Sequence, residues 1–308
     1  MTCLPMTNSL APNDLSTPSN QQATAPQTSP PNPSNSPYQS LSGHLKKLRL
    51  SHMLSHWEDL QHQAMQEQWS YAQFLLALCE LEVERRWQLW LKRTLKEAHF
   101  PGSKTLSNFD FSHIPDFNPA PLMHLATDIS WLERAENCLI FGPSGAGKTH
   151  LSIGLARAVI ERGKRAKFFS ATSLVQQLQQ AKLQLVLPAM LKRLDRYDLL
   201  VIDDLGYVKK SEAETSVLFE LIAHRYERKS LLITANQPFS QWNAIFADDM
   251  MTVAAVDRLV HHALIVEVHS ESYRKRSAAK RGEEAKAPKD KEDRSEEHTS
   301  ELQSLTNL

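Results

Sequence analysis

Three of the chain's nine glycines fall within six residues, Gly142 to Gly147, in the stretch GPSGAGKTH that ends at His150. Gly142, Gly147, Lys148 and Thr149 occupy the fixed positions of the phosphate-loop pattern G-x-x-x-x-G-K-[ST]. Such a loop curls so that successive amide N–H groups point inward at a triphosphate. The pattern, with His150 beside it, makes Gly142, Pro143, Ser144, Gly145, Ala146, Gly147, Lys148, Thr149 and His150 the expected triphosphate-binding residues. Lys148 would reach the outer phosphates, and the Thr149 hydroxyl would ligate magnesium. A helix beginning at the loop would add its positive dipole end.

The surroundings fit. Asn137 to Phe141, NCLIF, is a short apolar run of strand type, and Leu151, Leu155, Ala158 and Val159 recur at helical spacing before Gly163. Beyond the loop, strand-like runs alternate with helical segments in the order CLIF, AKFF, LLVID, SLLITA and ALIVEV. Continuous apolar runs bounded by polar residues imply strands buried on both faces. The expected architecture is therefore α/β: a parallel five-stranded sheet covered by helices. In such sheets ligands sit beyond the carboxyl ends of the strands.

That rule selects the remaining candidates. LLVIDDLG places Asp203 and Asp204 at the end of a buried strand. Two adjacent carboxylates repel each other unless a cation lies between them and a ligand, so Asp203 is expected to hold magnesium with Thr149, and Asp204 to polarise the attacking water. The competing reading has the pair cap the next helix, which leaves one acid idle. LLITANQPF ends in Thr234 and Asn236. Asn236 could orient the lytic water, or could be a turn residue before Gln237 and Pro238. Arg258, on a short helix before the last strand, could enter a neighbouring subunit's site or remain a surface arginine.

The rest of the chain frames this domain. Residues 1–40 carry eight of sixteen prolines and the single charge Asp14, a composition expected to stay disordered. Residues 41–98 read as a small all-α N-terminal domain, with Leu50, Leu54, Trp57 and Leu60 on one stripe and Phe74, Leu75, Leu78 and Leu81 on another. Ser70 and Gln73 form a capping-box pattern. Residues 99–136 are a connector without a clear period, residues 137–276 the nucleotide domain, and residues 277–308 a charged tail whose stretch RSEEHTSELQS resembles a translated sequencing adapter. Lys plus Arg equals Asp plus Glu at 35 each, so nucleic-acid contact would have to come from local clusters such as Arg162, Lys164, Arg165 and Lys167, or Lys192, Arg193 and Arg196. Cys3, Cys79 and Cys138 show neither disulfide-framework nor zinc spacing, which suits a cytoplasmic protein. No apolar run approaches the roughly 18 residues needed to span a membrane.

From about Leu45 to Arg274 the chain resembles the AAA+ ATPases and, within them, the IstB-like transposition helpers, relatives of DnaC-type helicase loaders and DnaA-type initiators. The segments that carry the resemblance include LKKLRLSHM, SYAQFLLALCELEVERR, KTLSNFDF, ENCLIFGPSGAGKTHL, DLLVIDDLG, HRYERKSLLITANQPFSQW and AAVDRLVHHALIVEVHSESYRK. The resemblance implies that Lys148 and Thr149 belong to Walker A and that Asp203 and Asp204 form Walker B. It makes Asn236 the first sensor and Arg258 a finger acting in trans. Asp204 stands where many AAA+ proteins have Glu, and without a helical lid Arg274 is the one candidate for a second sensor. The family implies an ATPase that assembles as a homo-oligomer on double-stranded DNA, selects or remodels the target and stimulates a cognate transposase. A helicase loader that uses ATP as a switch is the alternative. A small-molecule kinase on the same loop would leave Asn236 and Arg258 without a task.

Overall fold

The computed structural model describes residues 37–206, 211–238, 241–242 and 249–269. The disorder expected for residues 1–36, the charged tail and Arg274 lie outside these residues. The chain forms two compact units, one ending at Glu84 and the other beginning at Arg85.

The first unit is helical, built from α1 (Pro37–Lys47), α2 (Ser51–Gln66) and the first half of α3 (Tyr71–Ala98). α1 begins inside the stretch whose composition suggested disorder, with a proline at its first position, where a missing N–H costs nothing. The capping box forms before α3: Ser70 N–H donates to Gln73 Oε1 at 2.8 Å, and Gln73 N–H donates to Ser70 Oγ at 3.3 Å. No side chain next to α2 caps its start. Instead the buried Glu82 carboxylate accepts from the N–H groups of His52 (2.9 Å) and Met53 (3.3 Å), placing negative charge at a positive helix end. Leu45, Met53 and Trp57 make a small core with Leu50, Leu54 and Leu78. Leu75, assigned to the buried stripe from sequence, is 60% exposed.

In the second unit the end of α3 contributes Trp90, Leu91, Leu95 and Ala98 to a core shared with the connector. That connector carries a 3-10 turn (Phe111–His113) and the short helices α4 (Ala120–Thr127) and α5 (Ser130–Glu133). It buries Leu106, Ile114, Leu122 and Trp131. Helices of eight and four residues are too short to display a period, which is why the sequence looked irregular here.

The sheet comprises β1 (Asn137–Phe141), β2 (Ala166–Ser170), β3 (Leu199–Leu205), β4 (Ser230–Ala235) and β5 (Ala263–Glu267). They pair in parallel in the order β2-β3-β4-β1-β5. Between them run α6 (Lys148–Glu161), α7 (Ala171–Leu183), α8 (Leu187–Leu194), α9 (Glu212–Arg225) and α10 (Asp249–Val260). α6 packs with the connector on one face of the sheet, while α7 to α10 build the core on the other. Both faces are thus covered, and β1 and β4 are buried throughout, as continuous apolar strands require. The expected single helix between β2 and β3 is two, α7 and α8, separated by Leu185 at φ 58°. At the sheet's other end the buried Arg225 guanidinium donates to the carbonyls of Leu194, Tyr197, Asp198 and Ser230 at 3.0–3.3 Å, tying the entrances of β3 and β4 together. This is the helix-covered parallel five-stranded sheet expected from the sequence, preceded by a helical region. β4 lies between β1 and β3, so the glycine loop, Asn236 and the two acids emerge side by side.

Candidate nucleotide-binding site

The loop from Gly142 to Gly147 joins β1 to α6, and Gly147 stands at the helix N-cap with φ 95°. Two requirements converge on this glycine. Its backbone is left-handed, and a Cβ here would lie 2.6 Å from Phe109 Cε2 of the connector. Lys148 follows as the first helical residue, 7% exposed. Its Nζ donates to the carbonyls of Gly142 (2.8 Å) and Pro143 (2.9 Å) and to Asn236 Oδ1 (2.6 Å). The buried cation is therefore held by neutral oxygens beside the cleft.

Thr149 Oγ1 donates to both oxygens of Asp203, at 3.0 and 2.9 Å. Asp203 is 9% exposed, and burial pushes its carboxyl above the ordinary carboxylate range. The Thr234 and Thr149 hydroxyls oppose that shift, the charge of Asp204 adds to it, and Lys104 opposes it. Asp204 is exposed, and its Oδ1 accepts from Asn236 Nδ2 at 3.1 Å. Asn236 thus bridges the loop lysine and the second acid.

A cleft of about 640 Å³ is lined by Ser144 to His150, Asp203, Asp204 and Asn236, and by the connector residues Pro101, Lys104, Asn108, Phe109, Asp110, His113 and Ile114. Gly142 and Pro143 take part through the carbonyls that hold Lys148. The His150 ring, expected to serve the nucleotide, is engaged by the connector. Its Nε2 lies 2.9 Å from the Thr105 carbonyl and 2.8 Å from Asn108 Oδ1, and the ring meets Phe109 edge-on. Burial lowers its pKa, the Thr105 contact raises it, and the nearby Lys104 charge lowers it further.

The connector's share of the cleft was missed from sequence. It lies some thirty residues before the loop and shows no phosphate-binding pattern. Gly154, inside α6, was the available signal: an interior helical glycine marks a close approach. A Cβ there would lie 2.8 Å from the Leu106 backbone nitrogen.

Arg258 does not join the cleft. On α10 its Nη1 donates to the Ala254 carbonyl at 2.7 Å, and its guanidinium lies 5.2 Å from the centroid of Phe219. It lines a separate open cavity of about 630 Å³ with Tyr226, Met250 and Asp257. Among the described residues, no arginine lines the nucleotide cleft.

The sequence clusters of basic residues divide. Arg162 donates to the Thr127 carbonyl, Lys164 pairs with Glu133, and Lys167 donates to the Glu97 carbonyl. Lys192, Arg193 and Arg196, on and after α8, are exposed. No helix among the described residues is long and apolar enough to cross a membrane.

Residues 43–281 match the family of the IstB-like ATP binding protein. An insertion-sequence ATP-binding protein of Sinorhizobium fredii is 50% identical over 234 residues, covering 76% of this chain and 78% of that protein. The ATP-binding protein assigned to insertion sequence IS21 of Pseudomonas aeruginosa is 34% identical, over 77% of this chain and 89% of its own length. Among solved structures, AMPPCP-bound DnaA from Aquifex aeolicus aligns at TM-score 0.47 and 17% identity, over 60% of this chain and 56% of that one. The family match spans the loop, both acids and Asn236, and the chain belongs to the IstB-like ATP-binding family.

Proposed function

We propose that this protein hydrolyses ATP as a homo-oligomer on double-stranded DNA and so serves as the helper of a cognate transposase, selecting or remodelling target DNA. One observation carries the shared-site part of this reading. The cleft holds the loop lysine, the paired acids and Asn236, yet no arginine lines it among the described residues, while Arg258 lies outside it. A neighbouring copy would supply the missing guanidinium. The insertion-sequence relatives favour a transposition helper over a helicase loader that shares the same nucleotide machinery.

Ser144 to Thr149 would cradle the triphosphate, and Lys148 would exchange its loop carbonyls for phosphate oxygens. Thr149 and Asp203 offer hard oxygen donors already 2.9 Å apart, a pair that suits magnesium. The burial that raises Asp203's pKa is the cost a cation would relieve. Magnesium held there would supply positive charge that neutralises the triphosphate. Asp204 would accept the proton of the attacking water as ADP leaves, with Asn236 fixing the carboxylate's orientation and sensing the terminal phosphate. The exposed Lys192, Arg193 and Arg196 offer phosphate contacts that an oligomer would repeat along a duplex.

The test is ATPase rate per subunit against protein concentration, with and without duplex DNA, at two salt concentrations. The rate should climb with concentration and again with DNA, and the DNA effect should fade at higher salt. A rate per subunit indifferent to both concentration and DNA would remove the assembled-site reading.

A further inference from the structure

The register between β3 and β4 breaks at the acids. Ile202 pairs with Ile233 and Leu205 with Ala235, so Asp203 and Asp204 together stand opposite the single residue Thr234. This two-against-one arrangement is a bulge, and Asp204 within it takes φ 65°. One hydroxyl fills the gap. Thr234 Oγ1 accepts from the Asp204 backbone N–H at 2.9 Å and donates to Asp203 Oδ1 at 2.7 Å. Thr234 is 1% exposed, so water is poorly placed to substitute for either bond.

We propose that Thr234 is a positioning residue for hydrolysis, its hydroxyl fixing the acid on the metal side and the acid on the water side in one geometry. The proposal rests on the reading that this cleft hydrolyses ATP. A hydroxyl has one hydrogen to give and lone pairs to receive, and both functions are used here. The donated hydrogen restricts which Asp203 lone pairs face Thr149. The accepted N–H holds the bulge that turns Asp204 toward Asn236. Such bulges re-aim side chains beside active sites. The methyl group and β-branching of Thr234 suit a strand, so Val can replace its shape while deleting both bonds.

The experiment compares Thr234→Val and Thr234→Ser with the full-length protein, using ATPase kinetics and the affinity for a non-hydrolysable ATP analogue with and without magnesium. Thr234→Val should lower kcat roughly 10- to 100-fold, the usual scale for removing a partner that orients a metal ligand. Its affinity for the analogue without magnesium should stay near that of the unaltered protein, while magnesium should strengthen its nucleotide binding far less. Thr234→Ser, which keeps the hydroxyl, should recover most of both effects. A merely structural role predicts a different pattern, with melting temperature falling and Ser, which lacks the methyl, no better than Val. Unchanged kcat in Thr234→Val, or a Ser variant as slow as Val, overturns the proposal. If the unaltered protein binds nucleotide but never turns over, the hydrolytic reading fails separately. The magnesium enhancement then decides Thr234: equal enhancement in the Val variant overturns it, and selective loss upholds a metal-positioning role.

Discussion

Asp204 is one of seven non-glycine residues with positive φ among the described residues, and its chemistry explains why an aspartate suits the position. The left-handed region tolerates Asp and Asn better than most side chains, because their short polar groups bond locally. A glutamate would extend the reach toward a water but fits this backbone less readily. Asp204→Asn therefore preserves both the backbone conformation and a side-chain oxygen for Asn236, while removing the group proposed to accept the proton. This variant is expected to bind ATP about as tightly as the unaltered protein and to turn over on the order of 10²-fold more slowly, a typical contribution of a general base. Lys148→Ala should behave oppositely: it deletes the loop's cation and should lose nucleotide binding itself. Fluorescent-nucleotide titration and steady-state ATPase assays separate the two outcomes. Equal turnover by Asp204→Asn would reassign the base.

At the scale of elements, the connector's seat on α6 is the feature most open to challenge. Gly-to-Ala changes in a helix interior ordinarily stabilise, by up to about 1 kcal/mol. At Gly154 the sign should invert, since the new methyl would lie 2.8 Å from the Leu106 backbone nitrogen and 2.9 Å from Leu106 Cδ2. Gly154→Ala is expected to cost roughly 1–3 kcal/mol as overpacking. It should also weaken nucleotide binding, because Lys104, Asn108 and Phe109 move with the displaced segment. Thermal melts and nucleotide titrations measure both, and a variant more stable than the original would refute the close contact. The same elements show what could be read in advance. All five strands were visible as apolar runs, although only the inner strands β1 and β4 are buried throughout and the edge strands β2 and β5 are partly exposed, and the loop was visible because phosphate binding needs contiguous residues. The walls of the cleft were not. Phe109 and Lys104 reach the site through tertiary packing from a segment whose helices are too short to show a period. The placement of Thr234 between the acids depended on a bulge, which an apolar run with two terminal acids does not reveal.

For the molecule as a whole, the separation of Arg258 from its own cleft turns a question of chemistry into one of assembly. In the proposed assembly a guanidinium supplied across a head-to-tail contact would make each site the joint property of two copies, one giving the phosphate loop and the next giving the arginine. Where such a finger operates it is worth about 10³ to 10⁵ in rate, so Arg258→Ala alone should be nearly inactive while still binding ATP. Lys148→Ala alone should be inactive for the opposite reason, since it keeps Arg258 but holds no nucleotide. Mixed, the two complement each other at any contact where an Arg258→Ala copy presents its intact loop to a Lys148→Ala copy. With random equimolar assembly that is one ordered pairing in four, so independent sites would recover roughly a quarter of the original activity, counting contacts of this heterologous kind. Differently tagged variants, captured together before assay, establish that mixed assemblies form. Activity that rises above the sum of the separate proteins places the arginine in a neighbour's site. Co-captured assemblies that stay inactive would instead confine Arg258 to the cavity it lines with Tyr226 and Asp257.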